Sequence, residues 1–178
     1  MINGNIRAVL WDLDGTILDS RQAHWRAWRK FTEAQGKPVS YEFFNETFGF
    51  RNEIILRLHF GAQLTDADVA RLAGGKETLY RSTLLEGAVE PLPGVREWLA
   101  GLRAPGWRQA LASMAPRENI AVTVQALGIR DYFDAVVSGD DVRRGKPAPD
   151  AFVAAAAALG IAPEACVVIE DSPQGVEA

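Results

Sequence analysis

Ala8-Val9-Leu10-Trp11-Asp12-Leu13-Asp14-Gly15-Thr16 is the stretch on which the fold turns. Its first four residues form an apolar run with no polar alternation, as expected of a parallel strand covered on both faces. Two acids and a glycine follow directly. Three further runs repeat the pattern: Gln109-Ala110-Leu111-Ala112, Ala135-Val136-Val137-Ser138 and Cys166-Val167-Val168-Ile169. Helical periodicity fills the gaps between the last three and precedes the second. Val95, Trp98, Leu99 and Leu102 share one face, as do Ile120, Thr123, Val124 and Leu127, and again Phe152, Ala155, Ala156 and Leu159. Gly128 and Gly160 stand where left-handed C-caps belong. Strand–helix alternation of this kind predicts an α/β class protein with a Rossmann-like parallel sheet.

The segment from Ile17 to Ala88 carries helical signals and no convincing strand. Arg21 to Gln35 reads as one helix ended by Gly36, Ser40 as the cap of a short second helix, and Thr65 with Asp68 as a capping box. Residues 1–16 and 89–178 are therefore expected to form the catalytic core, with an inserted α-helical cap at 17–88. The helix beginning near Pro173 barely starts before Ala178, so the C-terminal part of the core is expected to be missing, leaving the fourth strand with a bare edge.

With 178 residues the chain can bury a sizeable core without staples. A formal net charge of −4 supplies no basic footprint, so no nucleic-acid partner is expected. One cysteine, Cys166, excludes an internal disulfide, and it reads as a small core side chain. No signal peptide or membrane span is apparent. A soluble, cytoplasmic protein is expected, a monomer or weak homodimer with no membrane partner.

The chemically suggestive residues all follow strands: Asp12 and Asp14 the first, Ser113 the second, Lys146 the loop after the third, Glu170 and Asp171 the fourth. In an open parallel sheet that is the edge where ligands bind. Taken singly, each has a bland explanation: a turn for Asp12-x-Asp14-Gly15, a helix cap for Ser113, a solvated lysine for Lys146, and an N-cap for Glu170-Asp171-Ser172-Pro173. Their convergence outweighs those explanations. Crowded carboxylates call for a cation, and hard oxygen donors beside a phosphate suit Mg²⁺. Lys146 and Ser113 would hold phosphoryl oxygens, as a point charge and a hydrogen-bond donor. A carboxylate nucleophile, Asp12, would form an aspartyl phosphate, and Asp14 would act as general acid and base. Gly139 to Lys146 fails as a P-loop because five residues separate Gly139 from Gly145 and Pro147 follows the lysine. Asp12-x-Asp14-Gly15 lacks the spacing of an EF-hand.

On Asp12-Leu13-Asp14-Gly15-Thr16, Ser113, Gly145-Lys146-Pro147-Ala148-Pro149-Asp150 and Glu170-Asp171-Ser172, the chain resembles the haloacid dehalogenase superfamily, in its β-phosphoglucomutase-like sugar phosphatase branch. The resemblance implies Asp12 as nucleophile and metal ligand, and Asp14 as general acid/base with its backbone carbonyl on Mg²⁺. It further implies Ser113 and Lys146 on the phosphoryl group, and Asp171 supported by Glu170 in the metal site. Thr16 would position the first loop, and Asp19-Ser20 would be the cap hinge. His24, Arg51 and Lys76 fall where such enzymes place cap residues that touch substrate, although Arg51 and Lys76 read equally well as solvated cations, and Trp28 and Phe31 as cap packing.

The implied activity is hydrolysis of a small phosphorylated metabolite, a sugar phosphate. Thr16, where mutases of this type carry an aliphatic residue, and Met114-Ala115-Pro116-Arg117 favour a phosphatase over a phosphosugar mutase. A non-enzymatic phospho-acceptor is disfavoured by the helical insert, and a dehalogenase by the metal-suited acids. An inactive truncated fragment is the remaining alternative.

Overall fold

Strands β1 (Ala8–Trp11), β2 (Arg108–Ala112), β3 (Ala135–Val137) and β4 (Cys166–Ile169) form one sheet in the order β3-β2-β1-β4 in the computed structural model, which describes residues 7–87 and 89–178. All three neighbouring pairs are parallel. Trp11 stands opposite both Leu111 and Ile169, so the carboxyl ends of β1, β2 and β4 finish level. The helices in chain order are α1 (Arg21–Ala34), α2 (Tyr41–Thr47), α3 (Asn52–Phe60), α4 (Asp66–Glu86), α5 (Val95–Arg103), α6 (Arg117–Ala126), α7 (Asp150–Leu159) and α8 (Pro173–Glu177). The chain thus has an α/β architecture with a Rossmann-like parallel sheet.

Contacts divide the chain into two units, Met1–Asp19 with Val89–Ala178, and Ser20–Ala88. In the first, β1 is buried along its whole length because it has a strand on each side. The face of α7 carrying Phe152, Ala155, Ala156 and Leu159 meets Ala8, Leu10, Ala110 and Ala112 of the sheet. Alanines on both sides let helix and sheet approach closely, a fit that extra methylenes would disturb. Gly128 and Gly160, after α6 and α7, take left-handed backbone with φ of 64° and 68°.

Two sequence expectations are corrected here. β4 is not covered on both faces: it borders the sheet, its residues are at best half-buried, and Val168 is 39% exposed. Cys166 is accordingly only partly buried. Trp98 does not join the buried face of α5, being 63% exposed while Val95 and Leu99 are buried. At 3.6 residues per turn Leu99 lies about 40° round from Val95 and Trp98 about 60° the other way, so the helix buries the Leu99 flank.

In the second unit α1 packs on α4, and α3 on α4. Trp28, Phe31, Phe44, Ile55, Leu56 and Leu72 belong to its core, so Trp28 and Phe31 of α1 are packing residues. Ser40 Oγ accepts from Phe43 N at 3.1 Å to start α2. Thr65 and Asp68 form the complete capping box of α4. Gly36, past α1, is left-handed at φ 72°. No helix among the described residues is long and apolar enough to cross a membrane.

Candidate active site

The sheet positions its terminal side chains through the last rungs of its ladder. Asp12 N donates to Ile169 O at 3.0 Å, so the residue that leaves β1 is still held by β4. Ser113 N donates likewise to Val137 O at 3.1 Å, tying the exit of β2 to β3. Both side chains are thereby fixed where the strands end, with Asp12 5% and Ser113 1% exposed.

Lys146 arrives from the loop after β3 and crosses the sheet edge. Its Nζ lies 2.5 Å from Asp12 Oδ1 and also donates to Glu170 Oε1. The ammonium sits 5.0 Å from the centroid of Phe152 in α7, an added cation–π contact. Lys146 is therefore no solvated lysine. Glu170 Oε2 accepts from Ser172 N at 2.6 Å and Ser172 Oγ at 2.9 Å, while Ser172 Oγ accepts from Gly175 N as the N-cap of α8. Thr16 Oγ1 donates to Asp171 Oδ1 at 3.2 Å, joining the loop after β1 to the loop after β4. Asp14 is half-buried with its Oδ1 shielded from solvent, and it pairs with Leu18 in a single β-bridge.

Electrostatics separate the acids. Burial pushes the Asp12 carboxyl up to about 7, and the Asp14 and Glu170 charges add to this, against the pull of Lys146. Burial also raises Glu170, but the hydrogen bonds from Lys146 and Ser172 outweigh it and hold Glu170 below the usual carboxylate range.

Asp12, Glu170 and Asp171 each bring a carboxylate oxygen within 4.8 Å of the others. Three hard oxygen donors so close fit a divalent cation such as Mg²⁺. The carboxylate of Asp14 is not in that group. Two glycines make the arrangement possible. Gly15 has φ of +92°, and a Cβ there would overlap the Asp171 carboxylate. A Cβ on Gly175 would overlap the Glu170 carboxylate. Gly175→Ala is expected to weaken binding of added Mg²⁺ at these acids about 10–100-fold, the scale for disturbing the support of a metal ligand. Magnesium titration of the two proteins measures it; unchanged binding would show that Glu170 has no part in the metal site.

The second unit holds its own polar cluster. Lys76 is 1% exposed, which overturns its reading as a solvated cation. Its Nζ donates to Glu77 Oε1 at 2.8 Å and lies 3.0 Å from His24 Nδ1, with Trp28 and Tyr80 rings each 5.3 Å away. Asn52 Nδ2 donates to the same Glu77 oxygen at 2.6 Å. An ammonium facing Nδ1 requires neutral His24 with its proton on Nε2. Burial and the Lys76 charge hold the His24 pKa well below its ordinary value, consistent with that tautomer. His24 also stacks on Tyr80 with centroids 3.9 Å apart. Arg51 is exposed at the N-cap of α3. Glu77, Asn52 and Tyr80 escaped the sequence reading, and so did Ser172 as a partner of Glu170. Only the adjacency of Lys76 and Glu77 hinted at such a pair.

The haloacid dehalogenase-like hydrolase family matches residues 6–178. Fructose-1-phosphate phosphatase YqaB of Escherichia coli K12 is 36% identical over 174 residues, spanning 96% of this chain and 89% of that protein. β-Phosphoglucomutase of Bacillus subtilis is 32% identical, over 97% of this chain and 78% of its own. Among solved structures, CbbY of Rhodobacter sphaeroides in complex with xylulose-(1,5)-bisphosphate superposes with a TM-score of 0.87 at 25% identity, covering 97% of this chain and 80% of that one. With nearly every residue inside the family match, and a parallel sheet that delivers its acids and lysine to one edge, this chain belongs to the haloacid dehalogenase-like hydrolases.

Proposed function

We propose that the protein is a Mg²⁺-dependent phosphatase that hydrolyses a small sugar phosphate through an aspartyl-phosphate on Asp12. The observation that carries this is the convergence of Lys146 on Asp12 and Glu170, with Asp171 alongside, at the carboxyl ends of the strands. An Asp12 carboxylate oxygen attacks phosphorus, the ester P–O bond breaks, and the departing alkoxide takes a proton from Asp14. Asp14 then accepts a proton from water as its oxygen attacks the phosphoryl group, releasing phosphate and the Asp12 carboxylate. Ser113 and Lys146 hold the phosphoryl oxygens throughout. Asp12, Glu170 and Asp171 with the Asp14 backbone carbonyl hold Mg²⁺, which when bound offsets the negative charge of the acids and the phosphate.

Residues 20–88 act as a cap hinged at Asp19-Ser20. Arg51, with the His24–Lys76 pair, supplies the cap side of substrate recognition, and Thr16 sets the first loop. The relative acting on fructose 1-phosphate supports a phosphorylated sugar as substrate. Likeness to a β-phosphoglucomutase supports a second reading, isomerisation without net phosphate release. Phosphate release from a panel of sugar phosphates, with Mg²⁺ and with excess chelator, separates these. Turnover that survives chelation would sink the mechanism, and conversion to an isomer without free phosphate would establish the mutase. The enzyme is expected to work in the cytoplasm as a monomer or weak homodimer.

A further inference from the structure

A set of hydrogen bonds outside the carboxylate cluster ties the loop after β2 to the loop after β3. Past β2 come Ser113-Met114-Ala115-Pro116, then Arg117, the first residue of α6. Past β3 come Ser138 and a 3-10 turn, Gly139–Asp141. Arg117 N donates to Asp140 Oδ2 at 2.8 Å, and Arg117 Nη2 donates to Asp141 Oδ1. Asp141 Oδ2 accepts from Ser138 N at 2.8 Å and from Ser138 Oγ at 2.7 Å. Gly139 N donates to Ala115 O at 3.1 Å, and a Cβ on Gly139 would overlap the Met114 carbonyl.

This clasp reaches Ser113 through one residue, Ala115. Ser113 Oγ accepts from Ala115 N at 3.1 Å, and the carbonyl of Ala115 is the group held by Gly139. A hydroxyl that accepts from backbone keeps its hydrogen to donate elsewhere. The pair between Arg117 and Asp141 is partly exposed and stabilises little by itself. Its effect is geometric, since Ser138 at its inner end is fully buried.

We propose that Asp141 is a positioning residue that, through Arg117 and the Gly139 turn, holds Ser113 as a hydrogen-bond donor to the transferring phosphoryl group. This rests on the phosphatase reading of the site. A mere cap of the 3-10 turn would need the Ser138–Asp141 bonds but would leave Ser113 untouched.

The test combines kinetics with amide exchange on the full chain. On p-nitrophenyl phosphate with Mg²⁺, Asp141→Ala is expected to lower kcat/KM about tenfold or more, the scale for a lost charge-assisted hydrogen bond. In a Ser113→Ala background the same change should cost no more than about twofold, because the group it positions is gone. Exchange of the Ala115 amide should quicken about tenfold while that of Leu10 in β1 is unchanged. Asp141→Asn, which keeps the volume, carries the same comparison if the alanine variant does not fold. Equal losses in both backgrounds, or unchanged Ala115 exchange, overturn the proposal. Should the wild type release no phosphate, the phosphatase reading fails and Ala115 exchange alone decides the clasp.

Discussion

Asp12→Asn is expected to abolish phosphate release, on the order of 10⁶-fold, while making the metal-free protein harder to unfold. The first effect follows from removing a nucleophile whose partners act as a unit. The second follows from burial. The Asp12 carboxyl stands near 7 in the fold against 3.8 as its ordinary value. Between those two values the folded chain holds a proton that the unfolded chain has lost, so stability falls as pH rises through that window and levels off above it. Asparagine keeps the shape and an acceptor for Lys146 but does not titrate. Its advantage should be absent below about pH 4 and reach a few kcal/mol above about pH 7 in chelator. Urea unfolding of both proteins at pH 4 and pH 8 reads this directly. A variant less stable than wild type at pH 8 would mean that the Lys146 charge outweighs burial at Asp12. An active asparagine variant would remove Asp12 from the chemistry altogether.

Asp14→Asn should reduce turnover about 10²–10⁴-fold, the usual contribution of a positioned acid–base group. Its signature is the dependence on the leaving group. An alkoxide departing from a sugar phosphate needs its proton, so the first step slows with that substrate. p-Nitrophenolate is a stable anion and leaves without help, so with p-nitrophenyl phosphate the first step survives. The second step still lacks a base to activate water. The variant should therefore release a burst of p-nitrophenolate equal to the enzyme present and then turn over slowly, with the phosphoryl group held on Asp12. Equal slowing for both substrates with no burst would exclude Asp14 as the acid and base. The two variants thus part the roles of residues two positions apart in the chain.

The strands were legible because each is a short apolar run, and the positions of Asp12, Ser113, Lys146 and Glu170 because parallel strands place every carboxyl end on one edge. The helix caps at Ser40 and Thr65 were equally plain, since a capping side chain bonds backbone only three residues away. Burial was less legible wherever it depended on a neighbour distant in sequence. Trp98 fits the apolar stripe of α5 and faces solvent, and Val168 looks like a core strand residue and lies on the sheet border. Lys76 reads as a solvated cation, yet it lies buried between aromatic rings because α1 delivers His24 and Trp28 to α4.

The sequence by itself determined the class of fold, the family and the cluster of chemical groups, because short-range patterns and strand-end spacing suffice for those. Tertiary structure decided the charge balance: burial holds the Asp12 proton to near neutrality, and Lys146, by bridging Asp12 and Glu170 instead of facing water, only partly offsets it. The reason is physical. A carboxyl's proton affinity depends on solvent exclusion and on charges within a few ångströms. Asp14 is a neighbour in sequence, but Lys146 and Glu170 lie 134 and 158 positions farther along the chain, and only the assembled sheet brings them beside Asp12.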